Sequence, residues 1–382
     1  MDDPQLEVNV IFESPSSNIF IPPSIHHETL LSGASYSHFS PVPTSLLPPA
    51  PIPSDDTDCV NPATEAVGPP CALGIDEAGR GPVLGPMVYG AFYLPLPLSI
   101  PLLSKTHHFD DSKVLTPSFR SQLMEKLCTP PSRLPSQSPS SDSESLYENC
   151  GWAVEVMSAR DISANMLKPF ATYNLNAQAM DATISLIKRV YALGVNVREI
   201  YIDTIGQPAA YQQKLERVFP AANITVAKKA DSLYPCVSAA SVCAKVTRDS
   251  ALGVLWSTYD SEDTDAVTRG EQMEADEEGK EKEREAGSGW GSGYPSDVRC
   301  TGWMKRNMDP IFGWGSECRF SWGTAKDMLE SKGAPVAVIW AEDEDDEASK
   351  VTDFFRAEYE TNGTKNDTAA KWFGTPVSAE TF

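Results

Sequence analysis

One short stretch, residues 74–86, constrains this chain more than any other. Asp76 and Glu77 end an apolar run, and Gly79-Arg80-Gly81 follows directly, before a second apolar run from Met87 to Leu94. Because glycine adopts tight-turn conformations at little steric cost, this order predicts a strand, a turn and a second strand. Side chains alternate along a strand, so both acids can face one site only if the chain turns there.

The acidity of the chain is concentrated in segments that lack the pattern of a folded domain. The net charge is −22, and residues 1–70, 260–285 and 342–347 carry −9, −8 and −6 of it, which leaves +1 for the remainder. The predicted folded part is therefore close to neutral. A polyanionic partner such as a nucleic acid is not excluded by the net charge.

The cysteines and the apolar runs narrow the class of protein further. Eight cysteines are scattered along the chain without a C-x-x-C pair, which predicts reduced, buried thiols and neither a disulfide framework nor a zinc site. No apolar run approaches 18 residues and no signal-peptide core is present. These features predict a soluble, intracellular protein with no membrane partner.

Periodicity predicts a mixed α/β fold in which strands come first and helix–strand units follow. Residues 151–158 alternate like a third strand, and residues 197–203 and 224–227 predict two more. Helices are expected at 117–127, 174–193, 209–219, 232–259, 298–308 and 324–332. The last two form a helical C-terminal appendage.

Composition divides the chain into three parts. Residues 1–70 are rich in Pro and Ser and are predicted to be disordered, residues 71–335 form the folded domain, and residues 336–382 form an acidic, mostly flexible tail. Flexible insertions are expected at about 129–145 and 260–288. Three roles stay open for the acidic insertion: repelling DNA, recruiting a basic partner, or none.

Four acids are predicted at strand ends or helix starts: Asp76, Glu77, Asp203 and Asp231. Hard oxygen ligands suit Mg²⁺ or Mn²⁺, and two such ions about 4 Å apart support phosphodiester hydrolysis. Zinc is disfavoured because none of the five histidines lies near these acids in the sequence. The competing interpretation is structural, since a lone acid such as Asp231 is usually a turn or cap residue.

Several separated motifs, in order, resemble type 2 ribonuclease H over residues 71–335. They are Asp76-Glu77-Ala78-Gly79-Arg80-Gly81-Pro82, Asp111-Ser112-Lys113, Asp203-Thr204, the stretch from Lys229-Ala230-Asp231-Ser232 to Arg248-Asp249, and Gly291-Ser292-Gly293-Tyr294-Pro295. Gly85-Pro86-Met87-Val88-Tyr89 and Phe320-Ser321-Trp322 are most similar to the catalytic subunit of its eukaryotic heterotrimeric form.

The resemblance implies a ribonuclease-H-like mixed sheet with flanking helices and an endonuclease with two bound Mg²⁺ or Mn²⁺ ions. Its substrates would be RNA–DNA hybrids and duplex DNA with single embedded ribonucleotides, nicked on the 5′ side to leave 3′-OH and 5′-phosphate ends. By the same resemblance, Asp76, Glu77, Asp203 and Asp231 are the metal-binding catalytic acids. This activity would serve ribonucleotide excision and RNA primer removal in DNA replication and repair.

The resemblance also assigns the residues that would contact substrate. Gly79, Arg80 and Gly81 match the loop that meets the ribose 2′-OH, and Tyr294 matches the tyrosine that stacks at the ribose–deoxyribose junction. Phosphate contacts are implied for Lys113, Asn174, Asn176 and Arg248. The residue types fit these roles, because the 2′-OH distinguishes RNA from DNA and basic side chains position phosphates without reading sequence.

The sequence also predicts binding partners for this chain and leaves two other functions open. The resemblance implies two non-catalytic accessory chains in a heterotrimer, and residues 348–355 faintly resemble a sliding-clamp-binding motif, with Ala348 where the usual glutamine stands. A nuclear location is inferred from the substrate. The alternatives are a non-catalytic, nucleic-acid-binding scaffold on the same fold and another nuclease or resolvase of that fold, which would need neither the Gly-Arg-Gly turn nor the tyrosine turn.

Overall fold

The computed structural model describes residues 20–49, 67–109, 115–133, 145–168, 173–204, 206–268 and 289–331, with side chains up to residue 259 in the sixth range. All of them belong to one compact unit, Met1–Ala337. The predicted tail at 336–382, including residues 348–355 that resemble a clamp-binding motif, lies outside the described residues.

Six strands form one mixed sheet in the order β1-β4-β3-β2-β5-β6. Strands β2, β3 and β4 pair antiparallel, whereas β5 pairs parallel with both β2 and β6. This confirms the predicted mixed sheet, with antiparallel strands first and parallel units after them. The strands are β1 (Tyr36–Phe39), β2 (Cys71–Ala78), β3 (Met87–Pro95), β4 (Gly151–Met157), β5 (Val197–Asp203) and β6 (Asn223–Ala227).

Helices cover both faces of the sheet and form the C-terminal appendage. They are α1 (His27–Leu31), α2 (Pro117–Cys128), α3 (Leu146–Asn149), α4 (Ala159–Met166), α5 (Leu175–Ala192), α6 (Pro208–Val218), α7 (Pro235–Thr268), α8 (Val298–Arg306) and α9 (Gly323–Glu330). Thr116 caps α2 by accepting a hydrogen bond from the Phe119 amide, as the Thr-Pro start predicts. A π-helical segment, Ser99–Thr106, and helices α1, α3 and α4 were not predicted.

Helix α7 packs against β2 and β3 closely enough to require glycines in the sheet. A Cβ atom on Gly74 would lie 2.3 Å from the Cys236 carbonyl, and one on Gly90 would lie 2.3 Å from the Ala240 oxygen. Small residues along α7, among them Ala239 and Ala240, complete this contact. The other face of the sheet buries a second apolar core against α5 and α6. The described cysteines are unpaired, and all except Cys128 are buried.

The prediction that all of residues 1–70 are disordered is wrong for residues 20–49. Strand β1 extends the sheet along β4, with Tyr36 opposite Val156. Its ordering depends on contacts far apart in sequence: His38 packs on Trp152, with ring centroids 5.2 Å apart, and the Ser24 and Thr247 hydroxyls lie 2.8 Å apart. A short strand without regular alternation carries no local signal of such contacts.

The two predicted insertions are described only in part. Helix α7 continues to Thr268, so the first nine residues of the acidic segment 260–288 are helical and not irregular. Residues 131–133 of the Ser/Pro segment form a 3₁₀ turn, and Ser145 caps α3. Across the described ranges, no helix is long and apolar enough to cross a membrane.

Candidate active site

Three elements bring the four predicted acids to one end of the sheet. Asp76 and Glu77 lie near the end of β2, and Asp203 is the last residue of the neighbouring parallel strand β5. Asp231 lies in a 3₁₀ turn, Ala230–Ser232, where the Ala230 amide donates to Asp203 Oδ1 at 2.9 Å. This turn, and not the start of α7, holds Asp231, because α7 begins at Pro235.

Burial and mutual repulsion perturb two of these carboxyls. Burial raises the pKa of Asp76 well above its usual value, and the charges of Glu77 and Asp203 raise it further, while a hydrogen bond from Ser241 acts in the opposite direction. Burial raises the pKa of Glu77 to about 7; Arg80 lowers it and Asp203 raises it. The shared charge effects indicate that Asp76, Glu77 and Asp203 act on one another electrostatically.

The Gly-Arg-Gly loop follows these acids directly. Gly79 has φ +79°, a left-handed conformation that glycine adopts without strain, and an added Cβ atom there would lie 2.8 Å from the Pro86 oxygen. A Cβ atom on Gly81 would lie 3.1 Å from the Tyr294 ring. The tyrosine turn therefore sits directly against the loop, although more than 200 residues separate the two in sequence.

Backbone hydrogen bonds fix the loop to the tyrosine turn. The amides of Val83 and Leu84 both donate to the Gly293 oxygen, at 2.9 and 3.2 Å. The turn itself is braced by Asp297, whose carboxylate accepts from the amide and the hydroxyl of Ser292 at 2.9 and 3.0 Å. Tyr294 projects from this rigid base with 39% of its surface exposed, so its ring is accessible to a ligand.

The residues predicted to contact phosphate have different surroundings. Asn176 accepts a hydrogen bond from Arg80 at the start of α5, whereas Asn174 caps that helix by accepting from the Ala177 amide at 3.0 Å. Both asparagines are exposed, and the bond from Arg80 places Asn176 beside the loop. Lys113 lies outside the described residues.

Arg248 is buried behind the site. It donates to the Ser292 oxygen and pairs with Asp249 at 3.1 Å. Its guanidinium carbon lies 5.9 Å from the centroid of the Tyr294 ring. In this structure Arg248 therefore joins α7 to the tyrosine turn, and the phosphate contact stays a prediction.

Comparison with known proteins identifies the family. A model of the family "Ribonuclease HII" matches residues 73–265, which include all four acids. A ribonuclease H2 subunit of Neurospora crassa is 54% identical over 365 residues, which is 95% of this chain and 97% of the relative. The chain belongs to the ribonuclease HII family.

More distant relatives support the same family assignment. The corresponding ribonuclease H2 subunit of Schizosaccharomyces pombe is 45% identical, covering 72% of this chain and 73% of its own length. The corresponding Homo sapiens protein is 38% identical and covers 75% of this chain and 82% of its own length. The chain is thus a ribonuclease H, and its activity is that of an endonuclease.

Enzymes of the ribonuclease H family depend on metal ions, and the chemistry of these four side chains fits such ions. All the candidate donors are carboxylate oxygens, the ligands that Mg²⁺ and Mn²⁺ prefer. Among the described residues, no three His, Cys, Asp or Glu side chains already form a complete set of metal ligands. The match between these acids and divalent ions therefore depends on their carboxylate oxygens and on the charge interactions among them. It does not depend on a set of ligands already arranged around an ion.

Sequence reasoning missed three residues that contact groups of this candidate site. Ser241 on α7 hydrogen-bonds to Asp76. Arg319 and Trp322 hydrogen-bond to the carbonyl groups of the Gly-Arg-Gly loop. Ser241 and Trp322 lay inside motifs recognised in the sequence, but nothing in their local pattern predicts which distant group they contact.

One cavity of the described structure lies apart from this site. A space of about 620 Å³ is lined by residues of β1 and its following loop and by residues 147–150, and none of the candidate site residues lines it. The candidate site lies instead at the end of the sheet where β2 and β5 finish.

Proposed function

We propose that this chain nicks duplex DNA on the 5′ side of a single embedded ribonucleotide and also cleaves the RNA strand of RNA–DNA hybrids. The observation that carries the proposal is the direct contact between the Gly-Arg-Gly loop, which follows two perturbed acids, and the exposed Tyr294. One surface thus combines groups for hydrolysis with a backbone able to approach a sugar closely.

In this proposal Asp76, Glu77, Asp203 and Asp231 hold two divalent ions. When bound, such ions lower the pKa of a water molecule and stabilise the charge on the leaving oxygen. The hydrogen bonds from Ser241 to Asp76 and from the Ala230 amide to Asp203 orient these two carboxylates. The products would carry 3′-OH and 5′-phosphate ends.

The protein groups around the acids would supply substrate specificity. The loop amides would meet the ribose 2′-OH, and the Tyr294 ring would stack on the sugar or base at the junction with deoxyribose. Lys113, Asn174, Asn176 and Arg248 stay the proposed phosphate contacts, of which the two asparagines are exposed. Contacts to phosphate would position the duplex without selecting a base sequence.

We also propose that the chain is the catalytic member of a heterotrimer and acts in the nucleus. The relatives above are named as one subunit of ribonuclease H2, which supports assembly with other chains. A sliding clamp is a weaker candidate partner, because its possible motif at 348–355 lies outside the described residues. Reconstitution with and without the two accessory subunits would show whether this chain is active alone.

The test is cleavage of an end-labelled duplex that contains one ribonucleotide, by the assembled complex in Mg²⁺. We expect one nick 5′ of the ribonucleotide. Asp76→Asn should lower the rate at least about 1,000-fold, because metal-dependent charge stabilisation contributes several kcal/mol. Asp327→Asn, at an exposed position on α9, is the matched control and should cleave normally. Normal cleavage by Asp76→Asn would favour the scaffold alternative, with a contaminating nuclease as the source of activity.

A further inference from the structure

A single buried arginine binds the first two carbonyl groups of the Gly-Arg-Gly loop and the carbonyl group of Gly85. Arg319 is fully buried, and its guanidinium donates to the oxygens of Gly79, Arg80 and Gly85, at 2.7, 3.1 and 3.1 Å. Three carbonyl groups within seven residues thus converge on one side chain. The guanidinium group is suited to this because its donors are fixed in one plane.

Trp322 completes the support beneath the loop. Its indole Nε1 donates to the Gly81 oxygen at 3.1 Å, and the Arg319 guanidinium carbon lies 4.7 Å from the centroid of its ring. The indole therefore fixes the remaining carbonyl of Gly79-Arg80-Gly81 and also stabilises the cation that holds the other two. All three carbonyls of the motif are directed toward these two side chains.

Some backbone amides of residues 79–85 donate hydrogen bonds within the protein, and others do not. Those of Val83, Leu84 and Gly85 donate to backbone oxygens of Gly293 and Glu317. In the described part of the chain, no hydrogen bond is donated by the amide of Arg80 or Gly81. With the carbonyls already bound, these two N–H groups are backbone donors that the loop can offer to an external oxygen.

The charge of Arg319 is unusual for so buried a group. No described acid forms an ion pair with it, and burial lowers its pKa to about 9. It is therefore still a cation at neutral pH, balanced by carbonyl dipoles and the indole ring. An unpaired buried charge is costly, which argues that the carbonyl contacts have a function beyond packing.

We propose that Arg319 and Trp322 are positioning residues for ribose recognition. They hold the loop carbonyls inward so that the amides of Arg80 and Gly81 are presented to the 2′-OH of the bound ribonucleotide. This inference rests on the proposed function above. It assigns the sugar selectivity to two residues outside the 73–265 range that the family model matches.

The test uses the assembled complex and two duplexes that differ only in one ribose. Steady-state kcat and KM are measured on the single-ribonucleotide duplex, and the all-DNA duplex is titrated as a competitive inhibitor to give Ki. Arg319→Lys keeps a cation but cannot reproduce three planar hydrogen bonds, so kcat/KM should fall about 100-fold, as for a misplaced reacting group. Ki for the all-DNA duplex should not change, since that duplex has no 2′-OH to lose.

Two further variants separate positioning from stability. Trp322→Phe keeps an aromatic ring under the guanidinium but removes the donor to Gly81, and we expect roughly a tenfold loss in kcat/KM with the same Ki. Arg319→Ala should be rescued in part by added millimolar guanidinium, which a mere folding defect would not allow. Arg160→Lys, at an exposed arginine that pairs with Asp161 and donates to the Ser32 oxygen, is the control and should match the native complex.

The outcomes are distinct. Unchanged kcat/KM in both Arg319→Lys and Trp322→Phe would overturn this inference while the native complex still nicks at the ribonucleotide. An equal loss in kcat/KM and in Ki would overturn it too, because it would indicate general damage to duplex binding. Failure of the native complex to prefer the ribonucleotide duplex would instead refute the proposed function.

Discussion

Replacing Glu77 by glutamine should stabilise the protein at alkaline pH while abolishing its activity. The Glu77 side chain is only 14% exposed, and burial raises its pKa from 4.5 to about 7. Ionising it in the folded state therefore costs about 3 kcal/mol relative to the unfolded chain, at about 1.4 kcal/mol per pKa unit. Glutamine has nearly the same shape and no charge, so this cost disappears.

The sign of the pH dependence follows from the same shift. Between about pH 4.5 and 7 the folded state binds this proton more tightly than the unfolded state, so the native protein loses stability as the pH rises through that window. The variant lacks this loss. Its advantage should be near zero at pH 4.5 and nearly complete at pH 8.

Thermal unfolding in metal-free buffer measures the stability that Glu77→Gln gains over the native protein. A gain of about 3 kcal/mol corresponds to an increase in Tm of about 6 °C or more at pH 8. Glu330→Gln, which removes an exposed acid 3.7 Å from Lys326, is the control and should shift Tm by less than about 1 °C. A Glu77→Gln variant that melts below the native protein at pH 8 would refute the reasoning, because Glu77 would then be a stabilising ion-pair partner of Arg80.

Two further predictions concern the tyrosine turn and the glycines under α7. Tyr294→Ala should lower kcat/KM for a single embedded ribonucleotide roughly 10- to 100-fold, the contribution of one base stack, and should affect an all-RNA strand less. Tyr294→Phe keeps the ring and should retain activity. Equal losses of kcat/KM on both substrates after Tyr294→Ala would contradict the junction role. Gly74→Ala should lower the free energy of unfolding by about 3 kcal/mol in a urea titration, because its Cβ atom would lie 2.3 Å from the Cys236 carbonyl. Gly253→Ala on α7, where an added Cβ atom meets nothing within 4 Å, should instead be neutral or stabilising, and equal behaviour of the two variants would argue against close packing of α7.

Much of the fold was predictable because its core elements carry local signals. The Thr116-Pro117 start, the apolar residues 200–202 of β5 and the alternation of β4 are visible in short windows of sequence, and each gives the observed element within a residue or two. Residues 20–49 were not predictable. Their order depends on contacts with Trp152 and Thr247, which only the folded sheet brings near.

Part of the candidate site was likewise predictable from the sequence, and part of it was not. The acids Asp76 and Asp203 lie at strand ends that the sequence marks clearly, and the parallel register of β2 and β5 places them together. Arg319 could not be assigned a role from sequence, because its three partners lie some 240 residues earlier and are backbone oxygens common to every residue. Backbone acceptors carry no residue-specific pattern, so a side chain that binds them is recognisable only in the structure.

The most direct measurement compares two duplexes that differ by a single oxygen atom, one with a ribonucleotide at a defined position and one with deoxyribose there. The assembled complex in Mg²⁺ should nick the first duplex at one phosphodiester, on the 5′ side of the ribonucleotide, and leave the second intact. Mapping the labelled product at single-nucleotide resolution gives both the rate and the position. Cleavage of both duplexes at similar rates, or a nick only on the 3′ side, would contradict the claim that the Gly79–Gly81 loop and the neighbouring acids form one ribose-dependent hydrolytic site.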